Sequence, residues 1–432
     1  MKVLWIAAYG GNYNSKGLSG TGGWVAPVET ALMTQCPDIE LGITFPHPTD
    51  KDYQQKGNVS YFPILKKNSN NVIKLFKRIC GIEQVDEEYI IRQMAFVAKS
   101  YKPDIVHIWG CESFYARIIN YIDFPCVIHI QGLVSSYLNV YFPPGFSVID
   151  LAKSDGFVDS RILLRGNLQR YKEFQQKVQS EISVAKKCKY WIGRTEWDKQ
   201  SLMSLNPHAV YFHCDELLRD EFSNGQWEYH CKEKITIQSN ISANWYKGLD
   251  IILKTAKILS DNNIKFQWNV CGITGNSKMI NAIEKKLRIK STDVNVAYLG
   301  SHPAAYIKEL LLKCDVYVHP SHIENSSNAI CEAMLLGVPV IAEFVGGNPT
   351  MLKNNSGILV QPYDPYCMAH QICSIVNKEL AETLSRNAKS LAKNRHNKPR
   401  VVNDLTNAYR MILEYEYKMS NQVNVQNDVS NQ

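Results

Sequence analysis

The chain has 432 residues, too long for one ordinary hydrophobic core, so two domains are expected. Apolar residues make up 45% and charged residues 21%, and with no run of about 18 apolar residues a membrane-spanning helix is not expected. The formal charge of +7 suits anionic ligands or an anionic surface without requiring nucleic acid, and cysteines lacking a Cys-x-x-Cys pair or a secretory segment point to reduced thiols in the cytoplasm.

Residues 2–8 read as a first strand rather than a signal peptide, because the apolar run is short and enters glycines directly. Gly10-Gly11, then Gly17, Gly20, Gly22 and Gly23, precede a helix over 25–33 with Pro27 in its first turn. Strand, glycine loop and helix can cradle a phosphate, although this is not the Gly-x-Gly-x-x-Gly dinucleotide pattern. Stretches 39–45 and 61–64 read as strands, 66–78 is basic, and 83–99 is helical. Pro103 leads into a strand reaching Trp109, and the strand over 126–130 ends on Gln131-Gly132. Positions two apart share a strand face, so His129 points the same way as Gln131 but deeper: Gln131 in a cleft, His129 either in the core behind it or a ligand.

Residues 135–157, with Tyr137, Tyr141, Phe142 and Phe146, are too apolar for plain linker. They read either as a packed loop or as a flap facing an acceptor or a membrane. Leu164, Leu168, Tyr171, Val178, Ile182 and Ala185 recur at helical spacing. The cations of that helix, among them Arg165, Arg170, Lys172 and Lys177, form a solvated face or a lipid-adhesive one. A strand over 190–194 ends on Arg194, a candidate phosphate partner, and Thr195-Glu196 caps the next helix. Residues 215–230 are polar and cross to the second domain.

The second domain opens with a strand over 234–238 and a polar turn, after which Lys247-Gly248-Leu249-Asp250 begins a helix. Its densest stretch is 315–352: strand 316–318, a polar loop, a helix over 328–336 stopped by Gly337 and Pro339, strand 340–342, and the turn Gly346-Gly347-Asn348-Pro349. That order is the grammar of a parallel α/β sheet. Glu324 precedes the helix and Glu332 lies inside it beside Ala333 and Met334, so Glu332 needs a partner or a cleft. Backbone amides at such a helix entry and at Gly346-Gly347 bind anions, and carboxylates bind sugar hydroxyls. A strand over 357–360, a helix over 368–376 and a helical tail over 386–416 complete the chain.

Glu324, seven residues, Glu332, Ala333-Met334, Gly337-Val338-Pro339-Val340 and Gly346-Gly347 resemble the donor-site signature of the family-4 retaining glycosyltransferases. The likeness returns in Pro103-Asp-Ile-Val-His107 and in Lys247-Gly-Leu-Asp250. It implies a GT-B fold of two Rossmann-like parallel-sheet domains facing a cleft: 1–215 on the acceptor side, 216–395 for the nucleotide sugar, a helix over 396–419 returning to the first domain, and a disordered tail over 420–432. By that resemblance Glu332 holds the ribose hydroxyls, and Glu324 with the backbone of Asn325, Ser326, Ser327 and Asn328 holds the donor sugar. Lys247 neutralises the departing diphosphate, and Gly22 and Gly23 lie over the phosphates.

The chain departs from the family in three places. Gln131 stands where a histidine is usual, and Thr350 where a glutamate is. No arginine lies between Ser239 and Tyr246, where Asn240 and Ser242 stand instead, leaving Arg194 as a substitute cation. The resemblance implies retaining hexosyl transfer from a nucleotide-diphosphate sugar to a glycan or lipid-linked hydroxyl in capsule, exopolysaccharide or lipopolysaccharide synthesis, with Lys247, Glu324 and Gln131 as the catalytic group. Lys247 and helix N-termini are expected to do the neutralising, so neither a metal nor a cofactor is expected. The expected location is the cytoplasm or, peripherally, the inner face of the membrane. The rival readings are an inactive scaffold subunit of a polysaccharide assembly and an epimerase or hydrolase on the same fold.

Overall fold

The computed structural model describes residues 1–13, 25–49, 51–66, 83–155, 166–230 and 233–430, without the side chains of 83–85 and 422–430. Eight strands form the first sheet: β1 (Lys2–Ile6), β2 (Glu40–His47), β3 (Gln54–Lys56), β4 (Val59–Leu65), β5 (Ile105–Trp109), β6 (Cys126–His129), β7 (Tyr190–Gly193) and β8 (Val210–His213). Their order is β3-β4-β2-β1-β5-β6-β7-β8. All pairings are parallel except β3 with β4. β5 is buried along its whole length, as a central parallel strand covered on both faces must be. β3 was not expected. It is polar and exposed, so it carries no apolar alternation, and the turn at Gly57 (φ +57°) folds it back on β4.

The second sheet is parallel throughout, with β9 (Ile235–Asn240), β10 (Phe266–Cys271), β11 (Val296–Gly300), β12 (Val316–His319), β13 (Val340–Glu343) and β14 (Ile358–Val360) in the order β11-β10-β9-β12-β13-β14. The helix Asn328–Leu336 ends at Gly337 (φ +80°), where the glycine and proline spacing predicts it.

Of the two readings of the aromatic stretch, the packed one applies and the outward flap does not: it contains the short helices Val134–Asn139 and Val148–Asp155 and forms a clasp. Tyr137, Tyr141, Phe146 and Leu151 join the hydrophobic core of the second domain. Tyr137 meets Tyr246 at 5.4 Å between ring centres, and Phe146 meets Trp245 at 5.8 Å. At the far end the helix Lys398–Ser430 runs on past 420. No glycine or proline after Pro399 interrupts it.

That helix lies on the first domain. Its Val401, Leu405, Tyr409 and Ile412 pack with Val3, Trp5 and Ile105. The Tyr409 hydroxyl accepts from Trp5 Nε1 at 3.1 Å and lies 2.5 Å from His107 Nδ1. The preceding helix, Lys378–Arg395, stays with the second domain through Ala381, Leu384, Ala388 and Ala392. Among the described residues no helix is long and apolar enough to cross a membrane.

Candidate functional site

The site is built where β9, β12 and β13 end. After β9 the chain makes a 3-10 turn, Trp245–Lys247, and reverses at Gly248 (φ +76°). A Cβ at Gly248 would stand 1.8 Å from the Pro320 carbonyl oxygen, so only glycine lets this turn press against the loop after β12. That approach brings Lys247 Nζ to 2.5 Å from Glu324 Oε2. His319, the last residue of β12, places Nε2 3.2 Å from the same oxygen. Burial works to raise the Glu324 pKa, but the Lys247 ammonium and His319 outweigh it and hold the carboxyl at about 2. Burial keeps His319 below the usual histidine range.

Gly346 and Gly347 come up from β13 against the same loop. A Cβ on Gly346 (φ +49°) would lie 1.9 Å from the Glu324 carbonyl oxygen, and the Gly347 N–H donates to that oxygen at 2.9 Å. The Gly347 amide expected to face an anion is therefore used to fix the backbone of Glu324. Just behind lies a second histidine of the same loop. Fully buried His322 bonds Asp250 Oδ1 at 2.8 Å and lies 3.5 Å from Glu343 Oε2.

The loop leading into the helix meets the first domain. Asn325 Oδ1 accepts from Thr195 Oγ1 at 2.7 Å, while its buried Nδ2 has no hydrogen-bond partner among the described residues. Ser326 Oγ donates to Glu216 Oε1 at 2.7 Å. Ser327 is buried at the N-cap of the helix, and Asn328 is half-buried in its first turn. Inside the helix, buried Glu332 accepts on Oε1 from Arg219 Nε at 3.0 Å and from its NH2 at 2.6 Å. Burial raises the Glu332 pKa, and Arg219 offsets this only in part. Asn240 Oδ1 accepts from Gln238 Nε2 at 2.7 Å.

On the first domain Arg194 is not placed as a free phosphate partner. It is 4% exposed. Its NH2 donates to Ile130 O at 3.2 Å, Gln131 O at 3.1 Å and Gln131 Oε1 at 3.1 Å. The end of β6 offers these carbonyls at the place where Arg194 leaves β7, so the guanidinium ties two strand ends and holds the Gln131 side chain. His129 is buried and stacks on Trp109 at 4.7 Å. Gly22 and Gly23 lie outside the described residues.

Glu216, in the crossing segment, links these pieces. It takes Ser326, the Cys331 thiol at 3.1 Å and Arg395 NH2 at 3.3 Å, with Arg194 NH1 3.8 Å away. Glu216, Cys331 and His396 place donor atoms within 4.8 Å of one another, but the Glu216 carboxylate is already held by Arg395 and Ser326. Neither Glu216 nor Arg219 was found by sequence reasoning, since both sit in a polar stretch whose partners arrive only when the chain crosses between domains. Beside this segment a cavity of about 940 Å³ opens at the ends of β1 and β2, lined by Tyr9, Gly11, Phe45, His47, Lys66 and Arg219.

Residues 228–391 match the family model described as Glycosyl transferases group 1. The putative colanic acid biosynthesis glycosyltransferase WcaL of Escherichia coli (strain K12) is 24% identical over 150 residues, 32% of this chain and 36% of that protein. The chain spans less than half the length of the curated relatives it matches, from 21% to 43% in eight of them. Among solved structures, sucrose-phosphate synthase from Thermosynechococcus elongatus superposes with a TM-score of 0.69 at 15% identity, covering 96% of this chain and 99% of that one. Anabaena HepE, solved in complex with UDP and glucose, gives a TM-score of 0.62 at 13% identity over 95% of this chain and 99% of that one. The chain thus has the GT-B fold, and its residues 228–391 are similar to the glycosyl transferases group 1 family.

Proposed function

We propose that this protein transfers a hexosyl group, with retention, from a nucleotide-diphosphate sugar to a hydroxyl of a glycan or lipid-linked acceptor. The observation that carries this reading is the part-buried contact of Lys247 Nζ with Glu324 Oε2 at 2.5 Å, held at the strand ends by Gly248 and Gly346. On donor binding Lys247 exchanges its carboxylate for the diphosphate, which gains negative charge as the glycosidic bond breaks. Glu324, kept ionised, accepts a hydroxyl of the sugar, and Glu332 accepts the ribose. No metal is required for this neutralisation, and the leaving phosphate takes the acceptor proton. Gln131, fixed by Arg194, lines the acceptor side.

UDP and glucose in a neighbour of the same fold support a nucleotide-sugar donor. A relative named for colanic acid biosynthesis supports a surface-polysaccharide acceptor. Exposed Arg170, Lys172, Lys177, Lys186 and Lys187 on the helix Asn167–Lys187 support a peripheral place at an anionic membrane.

The test is a thermal-shift panel of nucleotide sugars followed by NMR of the product formed from the donor that binds. The expected result is a melting temperature raised by one donor class, with its anomeric configuration kept in the product. A panel that shifts nothing, or an inverted product, overturns the reading.

A further inference from the structure

Tyr317 and His319 are two apart on β12 and share one face of the strand, with ring centres 6.1 Å apart. The Tyr317 hydroxyl lies 3.3 Å from His319 Nδ1, and His319 Nε2 lies 3.2 Å from Glu324 Oε2. Tyr317 is fully buried and His319 is 2% exposed, so water does not compete for either contact. A neutral imidazole has one donor and one acceptor. Facing a carboxylate, Nε2 must carry the proton, and Nδ1 then accepts from the Tyr317 hydroxyl. The order is fixed: Tyr317 O–H to Nδ1, Nε2–H to Glu324. Among the described residues, Glu324 Oε2 takes both His319 and Lys247, whereas Oε1 has no hydrogen-bond partner.

We propose that His319 is a positioning residue that turns Glu324 so that Oε2 stays tied to the protein while Oε1 is left for a hydroxyl of the donor sugar. This rests on the glycosyl-transfer reading above. When Lys247 moves to the diphosphate, His319 is the donor that remains on Oε2. Tyr317, one step further back, sets the tautomer that makes this possible. Removing a hydrogen bond to a charged group typically changes affinity or activity by about 10–100-fold, which sets the scale expected here.

The experiment compares His319→Phe, His319→Gln and Tyr317→Phe with the wild type, using UDP and UDP-glucose as calorimetric probes and the kcat/KM of donor turnover as the kinetic one. His319→Phe keeps the ring volume and loses the donor. It should bind UDP as the wild type does, yet lose about tenfold or more in kcat/KM and in the extra affinity of UDP-glucose over UDP. His319→Gln, whose amide nitrogen can replace Nε2, should recover most of the loss, and Tyr317→Phe should show a smaller loss of the same kind. If His319→Phe does not fold, the last two variants carry the comparison. The proposal is overturned if the folded variants keep the wild-type sugar increment, or if UDP and UDP-glucose weaken equally, as a general loss of structure would produce. A wild type that neither binds nor turns over any nucleotide sugar refutes the glycosyl-transfer reading itself, a different outcome.

Discussion

Arg219 donates two hydrogen bonds to one oxygen of Glu332, and that pair decides the charge of the helix Asn328–Leu336. Burial pushes the Glu332 pKa up, and Arg219 is the main group holding it down. Removing Arg219 should raise it further, so Arg219→Ala carries a penalty that grows as pH rises through the already raised wild-type Glu332 pKa and fades below it, where the carboxyl is protonated in both proteins. Thermal melts should show a loss of about 1–3 kcal/mol near neutral pH and a smaller one in acid. A loss independent of pH would mean that the guanidinium acts only by packing. For function, Glu332→Gln should weaken nucleoside-diphosphate binding about tenfold by calorimetry, the cost of one charged hydrogen bond. The turns that carry Glu324, Glu332 and Lys247 could be read from the chain because glycines and prolines at fixed spacing mark them. Arg219 could not, because its partner is 113 positions away and no local pattern records it. Arg194 was misjudged for the related reason that its acceptors, the carbonyls of Ile130 and Gln131, belong to a neighbouring strand end.

At the scale of elements, three segments meet on the His322 ring. Asp250 opens the helix Leu249–Asp261, His322 follows β12, and Glu343 ends β13. Burial alone would lower the His322 pKa, but Asp250 and Glu343 overcome it and raise it to about 9. A folded value above the unfolded one stabilises the protein fully below pH about 6.5, and this contribution is lost as pH climbs through 9. Melting temperature should therefore fall between pH 7 and 10, and His322→Gln, less stable throughout, should show a flatter profile over that window. Identical slopes would remove the imidazolium from the account. The order of strands and helices in this domain was legible because parallel strands buried on both faces are short apolar runs separated by glycine and proline. The histidine cluster was not, since a lone histidine in a polar loop looks the same with or without two carboxylates waiting behind it.

The whole molecule is held closed in two ways. An aromatic clasp from the first domain, Tyr137, Tyr141 and Phe146, sits in the second domain's core, and Lys286 pairs with Asp150 at 3.1 Å across the same seam. At the other side the two chain crossings meet where Arg395 reaches Asp215 at 3.0 Å and Glu216 at 3.3 Å. Phe146→Ala should cost about 3 kcal/mol by emptying the clasp next to Trp245, without touching the ligand contacts. Small-angle scattering should then report a larger radius of gyration, and calorimetry two melting steps in place of one. An unchanged radius would show that the crossing hub alone closes the lobes. The two-lobed GT-B plan was visible in the chain, but the clasp was not, because an apolar stretch between strands reads alike whether it covers its own domain or its neighbour's.

The central claim is that a half-buried lysine and a buried carboxylate at the strand ends of the second domain grip a sugar nucleotide. Its most direct test is calorimetric titration of UDP, GDP, ADP and dTDP into the wild type and into Lys247→Ala. The account predicts that one of these diphosphates binds the wild type and binds the variant at least tenfold more weakly, the loss expected for a charge-assisted contact to phosphate. Equal affinity in both proteins, or no binding by the wild type, would contradict it.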